Sequence, residues 1–236
     1  MTKRIAMWSG PRNLSTAMMY CFGMRSDCAV WDEPFYAPYL VATGVDHPMA
    51  EDIIAAHETN AEVVAARCLG PVPDSKSVFY MKHMPHHMID GMPLNWADEC
   101  INVHLIRHPA RVAASYASKR DEMTLADIGF VQQSQLFAKI GGLVIDSSDI
   151  RENPGKMIPA LCAAIGLEYE PQMLSWPSGG HSDDGVWARH WYGAIHKSTG
   201  FAGPEGPMPV LTGDALKLVE DALPHYNALA DQKLVV

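Results

Sequence analysis

Apolar residues in this chain fall in short, nearly continuous runs more often than in strict alternation. Arg4 to Trp8, Ala29 to Asp32, Ser77 to Lys82, Ile101 to Arg107 and Leu143 to Asp146 are rich in β-branched or aromatic side chains and read as strands. Helical periodicity between them predicts helices over Leu14 to Met24, Ala50 to Leu69, Ala110 to Arg120, Leu125 to Ile140 and Gly155 to Ile165, with a last one near Asp214 to Leu229. Strands that alternate with helices and read as apolar runs imply a parallel sheet covered on both faces, so the fold class is α/β. From Ser175 to about residue 210 the text is rich in Gly, Pro and Trp without clear periodicity. No repeat or linker divides the chain, and residues 1–236 are expected to form a single domain with that irregular segment as a lid.

Composition narrows the partners. The chain carries 18 Lys and Arg against 27 Asp and Glu, a formal charge of −9, which argues against a broad nucleic-acid or anionic-membrane surface. Any polyanionic small molecule must therefore be held by a few basic residues acting locally. The run Ile5 to Trp8 is too short for the apolar core of a signal peptide, and no uncharged stretch reaches the ~18 residues of a membrane helix, so a soluble, cytoplasmic protein is expected. The 5 cysteines form no CxxC pair and suggest neither a disulfide framework nor a zinc knuckle.

In parallel α/β sheets ligands bind beyond the carboxyl ends of the strands. The first strand runs into Ser9-Gly10-Pro11-Arg12-Asn13-Leu14-Ser15-Thr16, and a helix follows. A glycine-bearing loop that opens a helix points free backbone N–H groups and the positive helix end at one place, which suits phosphate or sulfate. Arg12 adds a charged fork, and Ser15 and Thr16 add hydroxyl donors. The text departs from the GxxxxGK-Ser/Thr pattern of nucleoside triphosphatases, since Ser15 stands where that pattern has Gly and no Lys precedes Thr16. Further on, Arg107 closes a strand, Pro109 stands where a first helical turn accepts it, and Ser115 follows two turns into the helix, a pair able to hold a second anion. The same two segments also read more plainly, as a βα turn with an ordinary cap and as an arginine paired with a carboxylate.

Together these segments resemble the sulfotransferases that use 3′-phosphoadenylyl sulfate (PAPS). In that family a 5′-phosphosulfate loop follows the first strand, as Gly10 to Thr16 does here, and a 3′-phosphate motif has Arg followed eight residues later by Ser, as Arg107 and Ser115 do around Pro109. Arg12 matches the PRSGST-like loops of the bacterial and carbohydrate branches, with Asn13 and Leu14 in place of Ser-Gly. A closer resemblance, over most of the chain, is to bacterial sulfotransferase-like proteins that also occur fused to plant aminotransferase-like proteins. It rests on Trp8 to Thr16, Asp32-Glu33-Pro34, Gly185-Val186-Trp187 and His196-Lys197-Ser198-Thr199-Gly200-Phe201. The resemblance implies a three-layer fold, PAPS as co-substrate with 3′,5′-bisphosphoadenosine (PAP) as product, no metal, and a small-molecule acceptor bearing a hydroxyl or amine. It also implies that Gly10, Pro11, Arg12, Asn13, Leu14, Ser15 and Thr16 hold the 5′-phosphosulfate, that Arg107 and Ser115 hold the 3′-phosphate, and that Lys197 sits in a late segment closing over the nucleotide.

Sulfuryl transfer needs a base for the acceptor and positive charge for the departing phosphate, where Arg12 would act. Lys82-His83-Met84-Pro85 resembles the KTHLP text in which the His is the general base, and Glu33 lies in an Asp32-Glu33-Pro34 segment like those in which a Glu takes that role. His83 is favoured, with Glu33 as a base, a substrate binder or an orienter of His83. The acceptor pocket is expected between Phe35 to His47 and His83 to Trp96.

Other readings remain. His83, His86 and His87 could form an HxxHH metal cluster, but Pro85 disfavours the helix that would align them. Arg107-His108-Pro109-Ala110-Arg111 resembles the RHGxR signature of histidine phosphatases, with Pro109 where that loop needs Gly. A P-loop kinase and a non-catalytic nucleotide-binding protein also keep an anion loop; the kinase lacks the Lys-Ser/Thr pair. Oligomeric state and acceptor identity are not legible.

Overall fold

The structure is a computed structural model, which describes residues 2–117 and 124–236. Five strands form one parallel sheet: β1 (Lys3–Ser9), β2 (Cys28–Asp32), β3 (Val78–His83), β4 (Ile101–Ile106) and β5 (Leu143–Asp146), in the order β2-β3-β1-β4-β5. The helices are α1 (Ser15–Gly23), α2 (Tyr36–Thr43), α3 (Ala50–Ala56), α4 (Ala61–Leu69), α5 (Pro109–Ala117), α6 (Leu125–Ile128), α7 (Phe130–Ile140), α8 (Ser147–Glu152), α9 (Pro154–Ala164), α10 (Ala188–Trp191) and α11 (Gly213–Ala230). All five predicted strands are present, within a residue or two of the expected ends.

Strand alternation explains the layers. On β1 and β3, Ile5, Met7, Val78 and Tyr80 face one core with Met18 and Phe22 of α1 and Ile158 and Leu161 of α9. Ala6, Trp8, Phe79 and Met81 face the other, with Val64 and Cys68 of α4 and Leu136 of α7. Both faces of the central strands are thus sealed, which is why they read as apolar runs. The β5 edge is covered by the chain end, where the Leu234 N–H donates to the Val144 carbonyl at 2.8 Å.

Two predicted helices are broken in two. The expected helix from Ala50 to Leu69 stops at His57, whose backbone is extended, and restarts when the Asn60 side chain accepts hydrogen bonds from the Glu62 and Val63 N–H groups. Asparagine competes with the helix interior through its own side chain and so marks a start. The expected helix from Leu125 to Ile140 breaks at Gly129, whose φ of +70° no helix interior tolerates. That break lays the Ile128–Gly129 turn across the loop after β1: a Cβ on Gly10 would stand 2.8 Å from the Ile128 carbonyl oxygen. The predicted helix end at Arg120 lies outside the described residues. Helix α8, directly beyond β5, has no counterpart among the expected elements, and the first part of the expected acceptor-lining segment folds as α2.

The segment from Ser175 to about residue 210 is closed on itself by a Ser175–Gly200 bridge and held beside α1 by the Tyr20 hydroxyl, which donates to Asp184 at 2.6 Å. Apart from α10 and short turns it is irregular, as expected. Among the described residues, no helix is long and apolar enough to cross a membrane.

Candidate active site

Register places the strand tips side by side: Trp8 is level with His83, Ser9 with Leu105, Asp32 with Lys82 and Ile106 with Asp146. The loop after β1 is therefore central, with Arg107 on one side and His83, then Glu33, on the other. Arg12 and Leu14 both adopt left-handed backbone, φ 65° and 75°, unusual for residues with a Cβ. Anchors hold them there. Buried Asn13 donates to the Leu105 carbonyl at 3.4 Å, and Gln133 of α7 donates to the Trp8 and Leu105 carbonyls at 3.0 and 3.1 Å. Leu14 offers α1 no side-chain cap. As at any helix start, the first-turn N–H groups of α1, beside Ser15 and Thr16, have no intrahelical acceptors.

Arginines gather beside this loop. Arg12 Nε donates to Ser115 Oγ at 2.9 Å, and Arg107 donates to the Arg12 carbonyl at 2.6 Å. Burial and the neighbouring Arg107 charge hold the Arg12 pKa below its ordinary value. Arg107 also pairs with Glu205, which receives Arg111 at 3.0 Å, Arg151 at 2.9 Å and the Ser148 hydroxyl at 2.8 Å. Burial opposes ionisation of Glu205, but the Ser148 and Arg107 hydrogen bonds and the arginine charges hold its carboxyl below the usual range. The plainer reading of Arg107, as one half of an ion pair, is thus met, and Ser115 binds Arg12 directly.

On the other side of β1 the tips are acidic and aromatic. Buried Lys82 donates to Asp32 at 2.9 Å, Glu33 at 2.5 Å and the Tyr192 hydroxyl at 2.6 Å, while that hydroxyl donates to Asp32 at 2.8 Å and accepts from the Trp187 indole at 3.1 Å. Burial alone would neutralise Lys82; Asp32 and Glu33 reverse that and keep it charged. Burial raises the Glu33 pKa, an effect that Lys82 offsets only in part. Glu33 has a left-handed backbone, φ 40°, in the turn that leaves β2. His83 lies in an aromatic cage, its ring 4.6 Å from Trp8, 4.8 Å from Trp96 and 5.9 Å from Phe35. Burial there pushes its pKa down to about 3, and its buried Nε2 has no hydrogen-bond partner among the described residues. His87 is buried, stacked on Tyr36 and Tyr39 at 4.6 and 4.9 Å. Among the described residues no group of three or more His, Cys, Asp or Glu side chains is placed to hold a metal ion.

Residues 3–233 match the family described as "Sulfotransferase domain". The chain belongs to that family. It is 31% identical over 233 residues to "Branched-chain-amino-acid aminotransferase-like protein 2" of Arabidopsis thaliana and 32% identical over 230 residues to "Branched-chain-amino-acid aminotransferase-like protein 1". Each match spans 95% of this chain but only 41% of the plant protein, so the sulfotransferase domain corresponds to about two fifths of those relatives. Solved structures of the same fold include the "Sulfotransferase Domain from the Curacin Biosynthetic Pathway", with TM-score 0.52, 14% identity and 95% and 98% of the two chains covered. Another is a sulfotransferase from Alicyclobacillus acidocaldarius, with TM-score 0.54, 12% identity and 99% and 98% covered.

Within this sulfotransferase domain, Arg12, Arg107 and Ser115 come together, and Glu33 and His83 stand at neighbouring strand tips. Lys82 is tied to Asp32 and Glu33, on the side of β1 away from the arginines. Lys197 is exposed on the Ile195–Lys197 turn and pairs with none of the arginine cluster; the late segment that reaches the cluster is 203–206. Ser148, Arg151 and Glu205 are not singled out by the sequence, and Arg111 enters there only through the RHGxR-like text. The signal for Ser148 and Arg151 was their place just past a strand; Glu205, in Gly-Pro text, had none.

Proposed function

We propose that the chain is a PAPS-dependent sulfotransferase acting on a hydroxyl or amine of a small-molecule acceptor. The observation that supports this most is the union of two anion-binding loops in one cluster: Arg12 after β1 and Arg107 after β4, joined through the Arg12 carbonyl and through Ser115 on α5. The residues suit such a donor, because an oxyanion, the Glu205 carboxylate, already sits against Arg107, Arg111 and Arg151. PAPS supplies an activated sulfuryl group on a phosphate leaving group.

In this reading Arg12, Ser15, Thr16 and the N–H groups of the loop from Gly10 to Leu14 hold the 5′-phosphosulfate, and their fixed positive charge stabilises the phosphate oxygen that departs. Arg107 and Ser115 hold the 3′-phosphate. The acceptor proton goes to Glu33, whose raised pKa makes it a stronger base than an exposed carboxylate and whose backbone strain is of the kind found at functional sites. Lys82 fixes its orientation. His83, closed in by Trp8, Trp96 and Phe35, shapes the wall beside it.

A thermal-shift comparison of PAP with ADP and ATP tests the reading. Native-state ligands stabilise by RT ln(1 + [L]/Kd), about 2.7 kcal/mol at a hundredfold excess over Kd. A clear shift with PAP and a much smaller one with ADP is expected; equal shifts would overturn the role given to Arg107.

A further inference from the structure

The tips of β4 and β5 carry more positive charge than their occupant needs. Arg107, Arg111 and Arg151 converge on the single carboxylate of Glu205, with Ser148 as a fourth donor. Asp146, at the tip of β5, is engaged elsewhere, accepting from the Ser148 N–H at 2.7 Å and the Tyr226 hydroxyl at 2.7 Å. Among the described residues, the one carboxylate paired with these three arginines is that of Glu205, whose side chain is only 4% exposed. The four donors stand at the strand tips and on α5 and α8. Glu205 does not: it comes from an irregular segment whose neighbours Gly203, Pro204, Gly206 and Pro207 are exposed. That segment is held at the pocket by Arg111 on the Gly206 carbonyl and Arg151 on the Gly203 carbonyl, both at 2.8 Å, and no apolar side chain of residues 202–208 is buried there.

We propose that Arg107, Arg111, Arg151 and Ser148 form a binding pocket for a phosphate-monoester dianion, and that Glu205 is its built-in competitor, displaced when the phosphate binds. A phosphate monoester brings a charge of about −1.5 to −2 near neutrality and three acceptor oxygens, which match converging guanidinium forks better than one carboxylate does. Arg107 also donates to the Arg12 carbonyl, so a phosphate here lies next to the loop after β1. The inference rests on the PAPS reading for the source of the phosphate, the 3′ group of the nucleotide. It adds that Arg111, Arg151 and Ser148 share that group and that Glu205 must first leave.

Calorimetric titration of the wild type, E205Q and R151M with PAP and with 5′-AMP tests this. E205Q is expected to bind PAP at least about tenfold more tightly than the wild type and 5′-AMP equally well, while R151M loses about tenfold for PAP only. E205Q binding PAP no more tightly than the wild type would overturn the proposal. If the wild type binds no PAP, the nucleotide reading fails and inorganic phosphate judges the pocket alone. Greater thermal stabilisation of E205Q than of the wild type by phosphate supports the pocket, and equal stabilisation overturns it. Should E205Q not fold, hydrogen exchange of the wild type decides: amides across 202–208 exchange faster with the ligand bound if Glu205 is displaced, and no faster if it is not.

Discussion

At the residue scale the two candidate bases differ in surroundings more than in position. His83 and Glu33 stand at adjacent strand tips, but the histidine is enclosed by rings while the carboxylate is held by Lys82. If Glu33 takes the acceptor proton, Glu33→Gln should lower kcat by about 10²- to 10⁴-fold, the range that positioned acid–base groups contribute, with PAP affinity nearly unchanged. His83→Asn should cost activity in proportion to any loss of stability. Steady-state rates with a turned-over acceptor check this, and the reverse order of effects would transfer the role to His83. Both residues were legible in the sequence because each follows a strand in a short, distinctive phrase. The cage around His83 was not, because Trp8, Phe35 and Trp96 are far apart in the chain and meet only when β1 and β3 pair. Arg151 and Glu205 were hidden for the same reason: their chemistry exists only once α8 and the 203–206 segment lie against the tip of β4.

Single elements carry the loop geometry. The loop after β1 is gripped from above by the Ile128–Gly129 turn and from below by Asn13 and Gln133. Gly10→Ala forces its new methyl against the Ile128 carbonyl, 2.8 Å away, and backbone cannot yield as a flexible side chain does. Overpacking of this kind typically costs 1–3 kcal/mol, so about 2 kcal/mol of unfolding free energy should be lost, together with affinity for PAP. Gly193→Ala, where a Cβ meets nothing within 4 Å, is the control. Urea titration compares them, and equal losses would show that the turn does not clamp the loop. The strands were readable because both faces of the sheet are covered, making them apolar throughout. The helix breaks at Asn60 and Gly129 were harder, since apolar periodicity continues across both and only a cap and a left-handed glycine interrupt it. Helix α8, six residues long, presents too little periodicity to register.

The whole molecule stores a pH dependence in its buried histidines. Burial lowers His83 to about 3 and, as the leading cause, His86 and His104 to about 4. Below pH ~6.5 the unfolded chain protonates these rings while the folded chain does not, so stability falls as the pH drops toward 4. Each ring contributes a slope of about 1.4 kcal/mol per pH unit, and the three together about 4. Glu33, raised, works in the opposite direction near the carboxylate range. Urea unfolding at pH 7.5, 6.5 and 5.5 should show a steep decline below 6.5; a flat profile would mean that the rings are reached by protons in the native state. The charge of −9 likewise described the exterior and not the site, where Arg12, Arg107, Arg111 and Arg151 gather.

The strand order β2-β3-β1-β4-β5 divides labour across the sheet. On the functional reading, nucleotide recognition belongs to β1, β4 and β5, and acceptor recognition to β2 and β3. Only the loop after β1 serves both, so lineages can exchange one acceptor chemistry for another through the β2 and β3 tips and α2 while inheriting the nucleotide half intact.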